Sequence, residues 1–564
     1  MDDVDAVQAQ IARNMLQSGD WVTARLDGVA YLEKSPLVYW MMAVSCRIFG
    51  VHDWAARLPI ALSVVLLCWV VYRFGRWGFG EEAGVCAGLA LATCTGLFLF
   101  TRIQIPDVIL TLAITGTIWG WLRLLEPDPP ESGAWSLLPG VCLGLGLLLK
   151  GLIAVVFPVG AVFVYLAVTR QLFSRAALAR LRLGTVVVTA LVIATPWEIL
   201  ATIRNPPYFV VSMHSGPGQY RGFFWFYFFN EHLLRFLNLR YPRDYNTVPR
   251  LWFWLFNLIW LFPWSVYLPA AGGLSFRPTT REGRVRLMAL CWIGVVMVFF
   301  TFSTTQEYYS MPIYPALALL IGSGLAGWER GCSAGRWVLL SIFAALTAVL
   351  GGLLVYVWRL PAQGEIAEAL RQNPELYTLS LGHLTDLTLP AFAYLKLPLA
   401  IATAAFAIGA VGLVVARKSV WRTILVTAAA MIVFLQAARI ALVRFDSYLG
   451  SYPLAVALES SPSGTLIEAN AYYAFSSVFF YTDRTALLWN GRINNLEYGS
   501  NAPDAPHVFI EDRDLQTLWS SRQRCYLLAY GSEMSHLEAL VGKPAIFVVK
   551  ESSGNYLLTN QPLR

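Results

Sequence analysis

Two short stretches concentrate the groups that could do chemistry. Residues 31–40 read YLEKSPLVYW and place Glu33 beside Lys34; residues 228–236 read FFNEHLLRF and place Glu231, His232 and Arg235 within five positions. Arg102 and Asp107 in TRIQIPD, and Lys150 in LLLKGL, add two cations and a carboxylate. Arginine and lysine at headgroup depth suit a phosphate, arginine as a two-toothed fork and lysine as a point charge. A neighbouring carboxylate can orient or deprotonate a nucleophile. If FFNEHLLRF is helical, Glu231 and Arg235 are four apart and could simply pair. A Glu–His combination could equally ligate a divalent cation, with Glu33 as the third group. Lys34 and Lys150 also have an ordinary use, since lysines at span ends extend their ammonium groups toward water. Asp107 after Pro106 suits a helix N-terminus.

The elements that must position these groups are membrane helices. Hydrophobic residues make up 57% of the 564-residue chain and charged residues 14%, well below the roughly one quarter of soluble domains. Apolar stretches predict spans near 54–74, 82–101, 107–125, 135–149, 151–169, 184–203, 251–272, 286–302, 310–327, 337–358, 391–416 and 421–443. The pair split by Lys150 could also be one kinked span. Arg73 and Arg76, Arg123, Arg170 to Arg182, Arg277 to Arg286, Arg330 and Arg336, and Arg417 to Arg422 fall on alternate loops. Cytoplasmic loops carry this excess of positive charge. The formal net charge of +7 therefore reports orientation. With no Lys/Arg-rich run outside the spans, nucleic acid is not an expected partner.

The other, extracytoplasmic side then receives residues 1–53, the Arg102–Asp107 segment, Lys150, and the outer loops 204–250 and 359–389. It also receives everything after Arg444. Placing residues 1–53 outside implies either a further span ahead of them or a crossing by 37–50, which is short and contains Arg47; the first is favoured, with 12–19 and 36–50 read as amphipathic helices on the outer surface. Three regions result: 1–53, a transmembrane domain over 54–443, and an α/β domain over 444–564. In the last, TLIEA, SSVFFYT, TALLWN, PHVFIE, CYLLAYG and AIFVVK alternate as strands, with HLEALVG helical. It contains no GxGxxG, P-loop or HExxH, so no chemistry is assigned to it. The eight cysteines form no metal-binding spacing and read as small buried hydrophobes.

The order of these motifs, with the acidic start and IARNMLQSGDW before them and EYYSMPIYP after, resembles lipid-phosphate-dependent C-type glycosyltransferases. It is most similar to the bacterial aminoarabinose transferases that modify lipid A, with the protein O-mannosyltransferases as relatives. The similarity covers roughly the first 330 residues. It implies an all-α polytopic membrane domain of about 12–13 transmembrane helices, with a small extracytoplasmic α/β domain at the C-terminus. It further implies a polyprenyl-phosphate sugar donor with no nucleotide cofactor, and inverting transfer on the periplasmic side of the bacterial inner membrane. The acceptor would be a lipid A-like glycolipid, a glycan or a protein.

By the same resemblance, Tyr31, Lys34, Lys150, Arg235 and Tyr309 meet the lipid phosphate, with Arg102 as a further cation. Glu33 and His232 belong to a possible divalent metal site for Zn, Mg or Mn. The family's N-terminal aspartate position falls on Val4, so Asp3 or Asp5 must fill the catalytic role, with Asp107 in support. A transporter would instead place polar groups near the bilayer midplane and show interrupted half-repeats, neither of which the sequence contains. An assembly factor would leave the charged outer constellation without a use.

Overall fold

The computed structural model describes residues 1–128, 133–242, 248–327, 329–362, 366, 370 and 387–563. Most of the outer loop 359–389 lies outside the described residues, as do 243–247 of the loop 204–250. Among the described residues, nine helices are long and apolar enough to cross a bilayer. Two further pairs pass together but are bent: Glu81–Ala92 with Thr95–Thr101 by 48°, and Arg250–Trp260 with Trp264–Gly273 by 99°. The sharper bend falls at Pro263, whose ring cannot extend a helical hydrogen-bond ladder. With the shorter Ile153–Val168 helix, every span anticipated from hydropathy meets a helix or helix pair. The protein is a multi-pass membrane protein.

Small residues let these helices approach. A Cβ on Gly84 would lie 2.5 Å from the backbone nitrogen of Arg76, so the Glu81–Ala92 helix rests directly on Asp53–Phe79. Gly151, at φ +65°, turns the chain between Gly133–Lys150 and Ile153–Val168. The region around Lys150 is therefore two helices joined at a corner, not one kinked span.

The N-terminal region differs from the anticipated surface helices. Asp3–Ser18 is one helix, capped by the Asp2 side chain on the Asp5 amide and closed by Gly19 in the left-handed region. Its Ala6, Val7, Ala9, Ile11, Ala12 and Met15 are buried. They pack between the Leu37–Phe49 helix and the C-terminal domain, so protein, not lipid, takes the apolar face. A two-stranded ribbon, β1 (Arg25–Leu26) and β2 (Val29–Ala30), leads from this helix to Glu33.

The C-terminal domain is a six-stranded sheet. Its strands are β3 (Thr465–Ala469), β4 (Leu487–Trp489), β5 (Phe509–Ile510), β6 (Cys525–Tyr530), β7 (Phe547–Ser552) and β8 (Asn555–Thr559), in the order β5-β4-β3-β6-β8-β7. The first four are parallel; β8 runs antiparallel to β6, and β7 to β8. SSVFFYT, expected as a strand, is the helix Ser476–Thr482. Ser476 to Phe480 are all buried there, because the helix lies against the Asp3–Ser18 and Tyr452–Glu459 helices. Burial on several sides erased the meaning of its alternating pattern.

Candidate functional site

One end of the helices encloses a cavity of about 300 Å³ whose polar lining includes Glu33, Lys34, Lys150, Glu231, Arg235 and Tyr309. Ile153, Val156, Phe228, Phe236 and Phe299 form its apolar wall. Three separate elements deliver the cations. Lys34 follows β2, Lys150 ends the Gly133–Lys150 helix, and Arg235 follows a π-helical segment, Trp225–Leu234, which also carries Glu231 and His232.

The cavity wall is an ion network. Arg240 donates to Glu231 Oε2 in a short contact and lies 3.5 Å from Glu33 Oε1. Arg235 lies 3.4 Å from Glu231 Oε2, and its other amino group donates to the Tyr309 hydroxyl at 3.1 Å. The Lys34 ammonium is 3.5 Å from Glu33 Oε1, while the Tyr31 hydroxyl donates to Glu33 Oε2 at 3.0 Å. Burial would raise the Glu33 carboxyl, but Lys34, Arg240 and Arg235 hold it down to about 2. Burial raises Glu231, with the Glu33 charge adding to it and Arg240 opposing. Lys150 donates to Asp107 Oδ1 at 2.6 Å, its ammonium 4.8 Å from the centre of the Tyr309 ring.

Five of the six residues expected at the lipid phosphate thus gather here: Lys34, Lys150, Arg235 and Tyr309 on the cavity, and Tyr31 behind Glu33. Arg102 does not join them. Its carbonyl accepts from Arg57 at 2.8 Å, and its charge acts on Asp5. Neither Asp3 nor Asp5 lines the cavity. Asp3 is enclosed by the C-terminal domain, accepting from the Ser477 amide (2.8 Å), the Ser477 hydroxyl (2.7 Å) and the Ser451 hydroxyl (2.9 Å). Asp5 pairs with Arg57 and accepts from the Gln104 amide at 2.7 Å. Burial pushes both carboxyls up to about 7. Asp107 stands behind Lys150, 2% exposed.

Both residues of the expected metal site, Glu33 and His232, line the cavity, and both are engaged by protein groups. Lys34 and Arg240 approach one oxygen of Glu33, and Tyr31 bonds the other. His232 donates from Nδ1 to the Tyr227 carbonyl at 2.6 Å. Its Nε2 faces the chain at Gly151, where an added Cβ would lie 2.1 Å away. Among the described residues, no three His, Cys, Asp or Glu side chains converge on a metal-sized site. The glutamate instead organises cations, and burial lowers the histidine's basicity.

Sequence reasoning missed Arg240, the link between Glu33 and Glu231. It lies beyond the helical segment in NLRYPRD, where no periodicity marks it. It also missed Ser35 and Tyr227, which line the cavity and whose hydroxyls share a short hydrogen bond.

The fold is that of a polytopic membrane protein with a cation-rich cavity at one end of its helices. Residues 33–199 match the family described as dolichyl-phosphate-mannose-protein mannosyltransferase. The chain is 30% identical over 384 residues to an undecaprenyl phosphate-alpha-4-amino-4-deoxy-L-arabinose arabinosyl transferase of Pseudomonas fluorescens, covering 66% of this chain and 61% of that one. It is 27% identical to the corresponding enzyme of Aeromonas salmonicida, covering 58% of each. The chain spans about three-fifths of the length of these curated relatives. The crystal structure of ArnT from Cupriavidus metallidurans bound to undecaprenyl phosphate superposes with a TM-score of 0.78 at 22% identity, over 99% of this chain and 93% of that one. The chain shares the fold of that ArnT structure.

Proposed function

We propose that the protein transfers a sugar, a pentose such as an aminoarabinose, from undecaprenyl phosphate or a similar polyprenyl phosphate to an acceptor outside the cytoplasm. It does so with inversion, at the periplasmic face of the inner membrane. The observation that carries this reading is the convergence of Lys34, Lys150 and Arg235 on one apolar-walled cavity. A polyprenyl tail suits the apolar wall, and a phosphate suits three cations around Tyr309. The names of the relatives supply the sugar and carrier, and the arginine-rich alternate loops supply the orientation.

In the reaction, the bond between the anomeric carbon and the carrier phosphate breaks. Its electron pair stays on the phosphate, where the cations stabilise the growing charge. An acceptor oxygen forms the new bond from the opposite face. If that oxygen belongs to a phosphate it is already anionic and needs little help from a base. A hydroxyl acceptor would need one. Asp5 has a suitably raised pKa but would first have to release Arg57 and Gln104. The enclosed geometry of Asp3 and Asp5 therefore favours an acceptor that carries its own charge, such as the phosphate of a lipid A-like glycolipid.

The test is to supply the purified protein with a panel of polyprenyl-phosphate sugars and acceptors, following free polyprenyl phosphate by mass spectrometry. Carrier release that requires both an acceptor and Lys34 is the expected result. No release from any carrier, with lipid-phosphate binding unchanged in Lys34→Ala, would refute the proposal.

A further inference from the structure

The C-terminal domain, to which the sequence assigns no chemistry, reaches the cavity through a chain of hydrogen bonds. Asn495 Nδ2 lies 3.0 Å from the Tyr473 hydroxyl, which lies 2.9 Å from the Tyr31 hydroxyl, which lies 3.0 Å from Glu33 Oε2. The ends of this chain fix its direction. The amide nitrogen can only donate, and an ionised carboxylate can only accept. Each phenol must therefore accept from the side of Asn495 and donate toward Glu33.

Glu33 has two oxygens with different tasks. Oε1 faces Lys34 and Arg240 at 3.5 Å each, looser than a full ion-paired hydrogen bond. Oε2 is turned away toward Tyr31. If Oε2 lost its donor, the carboxylate could rotate and close both oxygens on Lys34, and the ammonium would be spent on the protein. We propose that Tyr473 and Asn495 are positioning residues for the lipid-phosphate site: by keeping Tyr31 on Glu33 Oε2 they leave Lys34 directed at the phosphate. This rests on the lipid-phosphate reading of the cavity and gives the C-terminal domain a part in it.

A second contact from the same segment steadies the opposite wall. The Tyr498 hydroxyl donates to the Gly222 carbonyl at 2.9 Å and accepts from the Arg221 amide at 2.8 Å. Its ring stacks on Phe226 at 3.9 Å, at the start of the segment that carries Glu231 and Arg235. Gly499 sits so close to β2 that an added Cβ would lie 2.0 Å from the Ala30 carbonyl oxygen. One stretch of the domain thus meets both the element leading to Glu33–Lys34 and the element carrying Glu231–Arg235.

The test uses the full chain in detergent, titrated with undecaprenyl phosphate, with thermal unfolding measured alongside. Asn495→Ala removes a donor; Asn495→Asp keeps the shape but puts an acceptor where the chain needs a donor. The expected rise in Kd is about threefold for Asn495→Ala and about tenfold for Asn495→Asp. A packing role predicts the reverse order, since aspartate matches asparagine in size, and that order would overturn the proposal. Tyr473→Phe should weaken binding about threefold in the native protein and have no further effect in a Glu33→Gln background. Equal losses in both backgrounds would also overturn it, and this cycle decides the matter if Asn495→Asp fails to fold. If the native protein shows no affinity for undecaprenyl phosphate, the proposed function falls and this inference with it. Binding in the native protein with no response to the variants removes only the inference.

Discussion

The helix Asp107–Leu124 has a charge cluster at each end, separated by about 27 Å at 1.5 Å per residue. Just past its C-terminus, the Glu126 carboxylate accepts from Arg284 through both oxygens at 2.8 and 2.9 Å, and from Arg281 at 3.2 Å. Arg123 lies 5.1 Å from the Trp77 ring and 4.6 Å from Trp135. At the other end, Asp107 holds Lys150 at 2.6 Å, but Lys34 meets Glu33 only at 3.5 Å and borders a cavity. The ingredients are alike. Two-toothed pairing and aromatic faces occupy the cations at the Glu126 end; loose contacts beside open space leave the Lys34 end able to exchange protein partners for a ligand's oxygens.

The largest expected effect separates the two ends directly. Lys34→Ala should lower undecaprenyl-phosphate affinity about 10- to 100-fold, the range for a charge-assisted hydrogen bond. Stability should change less than in Arg284→Ala, because Arg240 and Tyr31 still hold the buried Glu33 and the Lys34 contact is long. Arg284→Ala should do the opposite. It leaves the buried Glu126 without its two-toothed partner, at a cost of about 3 kcal/mol, while the affinity of the folded fraction stays unchanged. Lipid titration and thermal unfolding of both variants check this. If both variants lose only stability, the two clusters are the same kind of structure and the comparison collapses.

Glycine sharpens the contrast. At Gly151 a Cβ would meet His232 Nε2 at 2.1 Å and the Tyr227 hydroxyl at 2.7 Å, in a left-handed backbone conformation. Gly151→Ala should therefore displace His232 and the neighbouring Lys150, weakening lipid binding about tenfold with a stability loss of about 1–2 kcal/mol. Gly283, beside Arg284, is equally crowded, with an added Cβ 1.8 Å from the Arg277 carbonyl oxygen. Gly283→Ala should cost stability without touching lipid affinity. Equal affinity losses in both variants, measured by the same titration, would show that the ends are coupled through the helix between them.

The same contrast marks how far the sequence could be read. Spans were legible because twenty apolar residues have few other uses, and the cations at span ends followed from charge asymmetry. Lys34, Lys150, Arg235 and Tyr309 could be assembled because each stands in a short motif of known order. Arg240 could not, since its role depends on how the chain folds back from the Trp225–Leu234 segment onto Glu33. The surroundings of Asp3 and Asp5 were hidden for a related reason. Aspartates near an N-terminus are usually solvated, but here the C-terminal domain, more than 440 residues away in sequence, covers Asp3. Ser476–Thr482 became a helix for the same long-range cause.

That covered seat gives the smallest and most selective prediction. Burial raises Asp3 to about 7 from an ordinary 3.8, against the pull of the Ser477 and Ser451 hydrogen bonds. Between those values the folded protein keeps a proton that the unfolded chain has released, so stability falls as pH rises from about 4 to 7. Glu33 has the opposite sign. Its carboxyl is held at about 2, so its stabilising contribution is complete above the ordinary 4.5 and is lost only as pH falls toward 2. From pH 5 to 8 the Glu33 arrangement should therefore stay constant while the contact between Asp3 and the C-terminal domain loosens. Asp3→Asn should flatten part of the decline in melting temperature across that range, and only part, because Asp5 and Asp27 are also raised to about 7. Undecaprenyl-phosphate affinity in Lys34-intact protein should move less than the melting temperature does. A steep loss of affinity that follows the Asp3 titration would instead mean that the seat of the C-terminal domain and the phosphate cavity open together, joined through Tyr473 and Tyr31.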